Sequence, residues 1–275
     1  MPFRHMNGSE AQSKKGAPLV SAGAAACLAV ALMLGPSGQQ TAQAAESTHA
    51  PNRSHYRAPR LAAEIVVDGV TDPSAWDAAE WREINDRWLG PEYSAEDFEG
   101  RFKVAWTEDR IYLLVEVVDD ILFDSHRDPL IQYWDDDCLE IFLDEDYSGG
   151  DHQFNHNAFA YHFSLDNRAI DIGTDEQARD YSHHVKSAWK QHGQKLVWEV
   201  AIDVYADGYV DDSDDNTPVT LHAGKVLGLM VAYCDNDGSE LRENFIGSES
   251  VPDGPKDRGW IDAGLFGAVE LTEAE

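Results

Sequence analysis

Basic side chains are scarce. The 275 residues hold 21 Lys and Arg against 51 Asp and Glu, a formal net charge of −30. Such a surface repels nucleic acid and anionic membranes, whose recognition needs clustered cations. It suits a soluble secreted protein and can hold divalent cations, although most of these carboxylates read as a solvated acidic face. Cysteine is scarcer still, with three in the chain. Cys27 falls in an N-terminal apolar run, and Cys138 and Cys234 fall inside expected strands. An oxidising compartment would permit one disulfide between the latter two, and otherwise they pack as small buried thiols. No internal repeat is visible.

Long apolar runs are equally rare. The one that stands out is "GAPLVSAGAAACLAVALMLG", preceded by Lys14 and Lys15 and followed by "TAQAAES". Charge, a small-residue apolar core and Ala42 and Ala44 spaced as A-x-A read as a secretory signal over residues 1–44. A single membrane anchor is the alternative, and the Ala/Gly content and the following "GPSG" disfavour it. Removal of the signal leaves no segment that inserts in a membrane and predicts export to a periplasmic or extracellular space. Residues 45–63 read as a polar linker, and a folded domain is expected over 64–275.

Several catalytic signatures are missing. No G-x-S-x-G elbow marks a serine hydrolase. His152, His156, His162, His183 and His184 cluster without a zinc spacing such as H-E-x-x-H. "DEDYSGGD" opens like an EF-hand loop, but its twelfth position is Asn155 rather than a bidentate Glu, so that motif is excluded. A calcium site of another kind, built from Asp144, Asp146 and Asp151, stays open against a plain solvated turn.

Strand signals are plentiful. "EIVVDG" reads as a short strand ended by Asp-Gly, and "DPSAWDAAEW" as a helical turn capped by Asp72 with Pro73 first. "RFKVAWTEDRIYLLVEVVDD" alternates and turns at "TEDR", a hairpin. Further hairpins turn at Asp166-Asn167 and at "QHGQK". "CLEIFL" at 138–143 and "KVLGLMVAYCDND" read as core strands, and "LFGAVEL" closes the domain. Short, regularly spaced strands with helical turns confined to loops predict an all-β, antiparallel β-sandwich.

Among the aromatic residues outside these hairpins, two stand out. Trp134 precedes "DDD" at the mouth of a strand, and Trp260 lies in the loop "GPKDRGWIDAG". They read either as plugs on the sandwich edge or as a stacking platform for the apolar face of a sugar. Parity puts Glu140 on one face with Cys138 and Phe142, opposite Leu139, Ile141 and Leu143. A carboxylate there needs a partner, either an Arg or a ligand hydroxyl, and Asp137 just before the strand could join it. Asp135 and Asp136 read as solvated, and Asp144, Glu145 and Asp146 as the exit turn.

In order along the chain, "VDGVTDPSAWDAAEW", "FKVAWTEDRIYLLVEVVDD", "WDDDCLEIFLDED" and "GLMVAYCDND…R…GWIDAGLFGAVEL" resemble the family 9 carbohydrate-binding modules over roughly residues 64–272. That resemblance implies a jelly-roll-like β-sandwich that binds an oligo- or polysaccharide without cleaving it, with structural calcium. It implies Trp134 and Trp260 as a clamp on a terminal sugar and Glu140 as a hydroxyl acceptor. Asn155, Asn157, Arg242 and Asp257 match further contacts. Ala232 stands where the family has a ligand-binding Gln, and Asn155 where it has an Arg, so two contacts are missing. A glycoside hydrolase or a transporter is the partner that such modules imply. Two other readings exist: a DOMON-like haem or electron-transfer module with Met230 and the histidines as ligands, and a glycoside-active enzyme.

Overall fold

Apolar alternation sets the strands, and strand register sets which side chains meet. The computed structural model describes residues 49–274, so the expected signal sequence lies outside the described residues. The strands are β1 (His55–Pro59), β2 (Arg82–Ile84), β3 (Asp86–Leu89), β4 (Phe98–Trp106), β5 (Ile111–Asp119), β6 (Cys138–Asp144) and β7 (Phe159–Ser164). They continue as β8 (Ala169–Ile172), β9 (Ala178–Asp180), β10 (Val185–His192), β11 (Lys195–Ile202), β12 (Val226–Asp235), β13 (Asn244–Gly247) and β14 (Gly267–Thr272). One sheet runs β1-β14-β12-β6-β7-β8-β9, with β13 on β12 and β3 on β13; the other runs β10-β11-β5-β4-β2. Every pairing is antiparallel except β1 with β14. The all-β sandwich expected from the sequence is therefore the fold.

The three hairpins turn where the turn residues placed them. Asn167, with φ 65°, and Gly193, with φ 70°, supply the left-handed backbone that tight hairpins need. Asp72 caps a 3-10 turn at Pro73–Ala75 by accepting from the Ser74 N–H at 3.0 Å. Burial of Leu139, Ile141 and Leu143 between the sheets joins them to Val115, Trp198, Val231 and Tyr233. Each such side chain contributes roughly 1.5–3 kcal/mol by leaving water. A second cluster, with Phe142, Met230, Ala232 and Phe266, covers the outer face of the larger sheet.

Three expectations need correction. "EIVVDG" is not a strand: Ile65 and Val67 lie against the outer face of the smaller sheet, while Val66 is exposed. The N–H groups of Asp68 and Gly69 are satisfied by the Glu199 carboxylate at 3.1 Å rather than by a ladder. The stretch 45–63 is not wholly linker, because β1 docks along β14 and buries Tyr56 and Ala58. Its five residues are too short for a visible period, and the Tyr56 hydroxyl is anchored on Glu249 Oε1 at 2.5 Å. Asp135 and Asp136 are buried rather than solvated. Asp136 accepts from the Ser125 and His126 N–H groups, and Asp135 from the Arg242 N–H.

Candidate saccharide site

Parity on β6 holds as read. Cys138, Glu140 and Phe142 leave the inter-sheet core and face the outer side of the larger sheet. Register then brings His162 opposite Glu140 from β7, and Ala232 opposite it from β12. Above this strip sits a 3-10 turn at Arg258–Trp260. Gly259 lets that turn approach closely: a Cβ there would lie 2.6 Å from Met230 Cε. His152 Nε2 donates to the Gly259 carbonyl at 2.8 Å and pins the turn in place. Burial lowers the His152 pKa and keeps that ring neutral.

The result is a cavity of about 240 Å³. Five of its lining residues were named from sequence: Trp134, Glu140, Arg242, Asp257 and Trp260. Trp134 is 38% exposed and packs edge-on to Tyr133 at 4.9 Å, so much of its ring stays available. Five more line it that sequence reading missed: Tyr133, His162, Asp171, Ile172 and Phe245. His162 faces Glu140 across β6 and β7, while Asp171 sits one strand further out on β8 and reaches back to the Ala160 N–H, a signal that needs the pairing of three strands and that no single strand carries.

Three named residues lie elsewhere. Asp137 turns away to join Asp119 and Asp235, accepting from the Phe123 and Asn236 N–H groups at 2.5 and 2.8 Å. Asn155 is exposed and donates to the Asp151 carbonyl at 3.3 Å, and Asn157 donates to the Gly149 carbonyl at 2.8 Å. Both hold the loop after β6 rather than the cavity wall, because their short side chains find main-chain partners first.

Charges inside the cavity are matched. His162 Nδ1 faces the Ala160 carbonyl and Nε2 faces Glu140 Oε1, each at 2.9 Å. Both partners only accept, so both ring nitrogens carry protons and the ring is a cation. Burial opposes that charge, but Glu140 beside it outweighs burial and raises the His162 pKa. Burial also works against the Glu140 charge, yet His162 and then Arg242 hold its carboxyl below the usual range. Cys234 Sγ adds a hydrogen bond to Oε1 at 3.0 Å, and Arg242 Nη1 lies 3.5 Å from the same oxygen. All of these contacts fall on Oε1, and among the described residues no protein donor reaches Oε2. Arg242 stacks over Phe245 at 4.0 Å, which fixes the plane of its donors. Asp171 is raised by burial to about 7, with its oxygens accepting from the Ala160 and Ile172 N–H groups at 2.7 Å. The site thus offers aromatic surface, a fixed acceptor and a fixed donor fork.

Among the described residues, no histidine belongs to a group of converging metal-ligand atoms. His156 pairs with Asp211, His183 with Tyr209 and His184 with Tyr161. Met230 is fully buried in the second cluster. Asp144, Asp146 and Asp151 do not form a ligand set either. Among the described residues the converging acidic triads are Asp119–Asp137–Asp235 and Asp97–Asp120–Asp237. Asp144 instead accepts from the Asp146 and Gly149 N–H groups and shapes the exit turn. Cys138 and Cys234 are free thiols.

Comparison with known proteins bears on this arrangement. The comparison with curated proteins returned no match. Two solved structures from Caldicellulosiruptor kristjanssonii are similar in fold. One is a family 9 carbohydrate binding module in complex with glucose, at 17% identity and TM-score 0.57, covering 81% of this chain and 97% of that one. The other is such a module in complex with cellotriose, at 18% identity and TM-score 0.55, covering 81% and 95%. The model of the carbohydrate family 9 binding domain-like family matches residues 67–274. With that match spanning nearly all of the two-sheet fold and its cavity, the chain belongs to the carbohydrate family 9 binding domain-like family.

Proposed function

We propose that this protein binds the terminal sugar of an oligo- or polysaccharide between Trp134 and Trp260 and does not cleave it. The observation that carries this reading is the meeting of two Trp residues from distant loops on one cavity whose floor holds an ionised carboxylate. Pyranose C–H faces pack on the indoles, while Glu140 Oε2 and the Arg242 fork take the hydroxyls. Glucose and cellotriose, the ligands of the two similar structures, are the first saccharides to try. Retention of the charged floor compensates for Ala232 and Asn155, which supply no polar contact in the cavity. A glycosidase needs two carboxylates free on either side of the bond. Of the three acids lining the cavity, Glu140 is tied to His162 and both Asp171 oxygens accept main-chain N–H groups, which leaves Asp257 without a free second carboxylate and supports binding over cleavage. Trp260→Ala should abolish retention on a glycan panel with little change in melting temperature. Unchanged affinity in that variant would remove the clamp from the reading.

Calcium, which the family resemblance implies, fits Asp119, Asp137 and Asp235 better than Asp144, Asp146 and Asp151. The first three bring carboxylate oxygens within 4.8 Å of one another, and no Lys or Arg pairs with them among the described residues. Burial and mutual repulsion push them up to about 6, 9 and 8. A hard cation with oxygen ligands would relieve that repulsion. Beside them the Asp237 Oδ1 is buried without a partner. The apolar N-terminal run and the acidic surface support an exported protein that works in a periplasmic or extracellular space with a glycoside hydrolase or a transporter. No helix among the described residues is long and apolar enough to cross a membrane.

A further inference from the structure

Cys138 and Cys234 lie directly opposite each other on β6 and β12. Facing residues of an antiparallel pair have Cα atoms about 4.5–5.5 Å apart, inside the range that a disulfide spans. Their sulfurs and a Glu140 oxygen all fall within 4.8 Å of one another. Cys234 Sγ touches both charged groups of the cavity, Glu140 at 3.0 Å and Arg242 at 3.1 Å. The Arg242 guanidinium already stands against both Cys234 and Glu140, and its charge disfavours a metal cation there. We propose that Cys138 and Cys234 form a redox pair beneath the saccharide cavity, and that closing the disulfide frees Glu140 Oε1 from its thiol donor and tightens ligand binding. The second half rests on the saccharide reading above.

The chemistry balances without further cofactors. Each thiol gives up a proton, the pair gives up two electrons, and one S–S bond forms. A small-molecule or protein disulfide takes both electrons and both protons and leaves as two thiols. Both sulfurs are buried in the folded chain, so the exchange belongs to the folding chain, before β6 and β12 close over them.

The full chain with Cys27→Ser should be refolded from denaturant in a mixture of oxidised and reduced glutathione. Mass spectrometry should then show the loss of two hydrogens, and no thiol should titrate after unfolding. Two titratable thiols would overturn the pair. In the oxidised form the Glu140 charge rests more fully on His162, so the His162 ring should titrate at higher pH by NMR than in the dithiothreitol-reduced form. Affinity for cellotriose should rise roughly threefold on oxidation, the low end of what one net hydrogen bond is worth. Cys138→Ser, or Cys138→Ala should the first fold poorly, keeps the Cys234–Glu140 contact and should hold the reduced values in both buffers. An unchanged His162 titration would overturn the link to the cavity. If neither form binds any saccharide, the functional reading fails, while mass and NMR still decide the pair.

Discussion

A buried ion pair on the cavity floor, Glu140 with His162, is the central device at the level of single residues. Glu140→Gln leaves the His162 cation uncompensated in a buried site, so the variant should lose about 3 kcal/mol in urea unfolding and also lose saccharide binding. A protein whose stability and binding were unchanged would show that the pair is incidental. Asp171 contributes to the pH dependence together with Asp119, Asp137 and Asp235, which burial also raises. Burial raises Asp171 from 3.8 to about 7, so the folded chain keeps a proton that the unfolded chain releases between those values. Its contribution to stability is therefore complete below about pH 4 and is lost as pH climbs to about 7. Asp171→Asn should make the melting temperature fall less steeply across that window, with Asp119, Asp137 and Asp235 supplying the remaining slope; a profile identical to the parent would contradict it. Glu140, Trp134 and Trp260 were legible because parity and loop composition act locally. His162 and Asp171 were not, since His162 meets Glu140 only through strand register and Asp171 joins them from β8, a strand further out. Asp137 misled because its place before β6 hides which way the preceding turn directs it.

Whole elements were legible where alternation ran for six residues or more. The β4–β5 and β10–β11 hairpins announced themselves through periodicity and turn residues, four-residue β8 through its Asp166-Asn167 turn from β7, and the central β12 through a nearly continuous apolar run. Strands β1, β2, β3, β9 and β13 did not, since three to five residues give no period, and β1 and β3 pair with strands far along the chain. The turn that carries Trp260 is an element whose placement depends on one missing side chain. Gly259→Val puts branched carbon against Met230 and the Phe142 ring, a local overpacking of roughly 1–3 kcal/mol. Saccharide affinity should fall tenfold or more while circular dichroism stays β-rich. Gly259→Ala should be milder, because the nearest atom is the flexible tip of Met230. Equal affinity in all three proteins would separate this turn from the site.

Charge governs behaviour at the level of the whole molecule. A net charge of −30 with few cations means self-repulsion that salt screens over about 10 Å at 0.1 M. Calcium should act beyond screening. The melting temperature should rise several degrees with calcium relative to chelator at equal ionic strength, and Asp137→Asn with Asp235→Asn should erase that rise. A rise that sodium chloride matches would leave only screening. Both expectations follow from composition, but which acids gather is a property of the fold. The pairing of β1 with β14 has a mechanical consequence. The two strands run parallel over five rungs, so the segment before His55 and the segment after Thr272 leave from opposite ends of the pair. Tension applied through these segments loads the rungs together in shear instead of peeling them one by one. If the protein is tethered to a surface through one end while its cavity grips a polymer, the edge of the sheet that takes the strain is the one built to yield last.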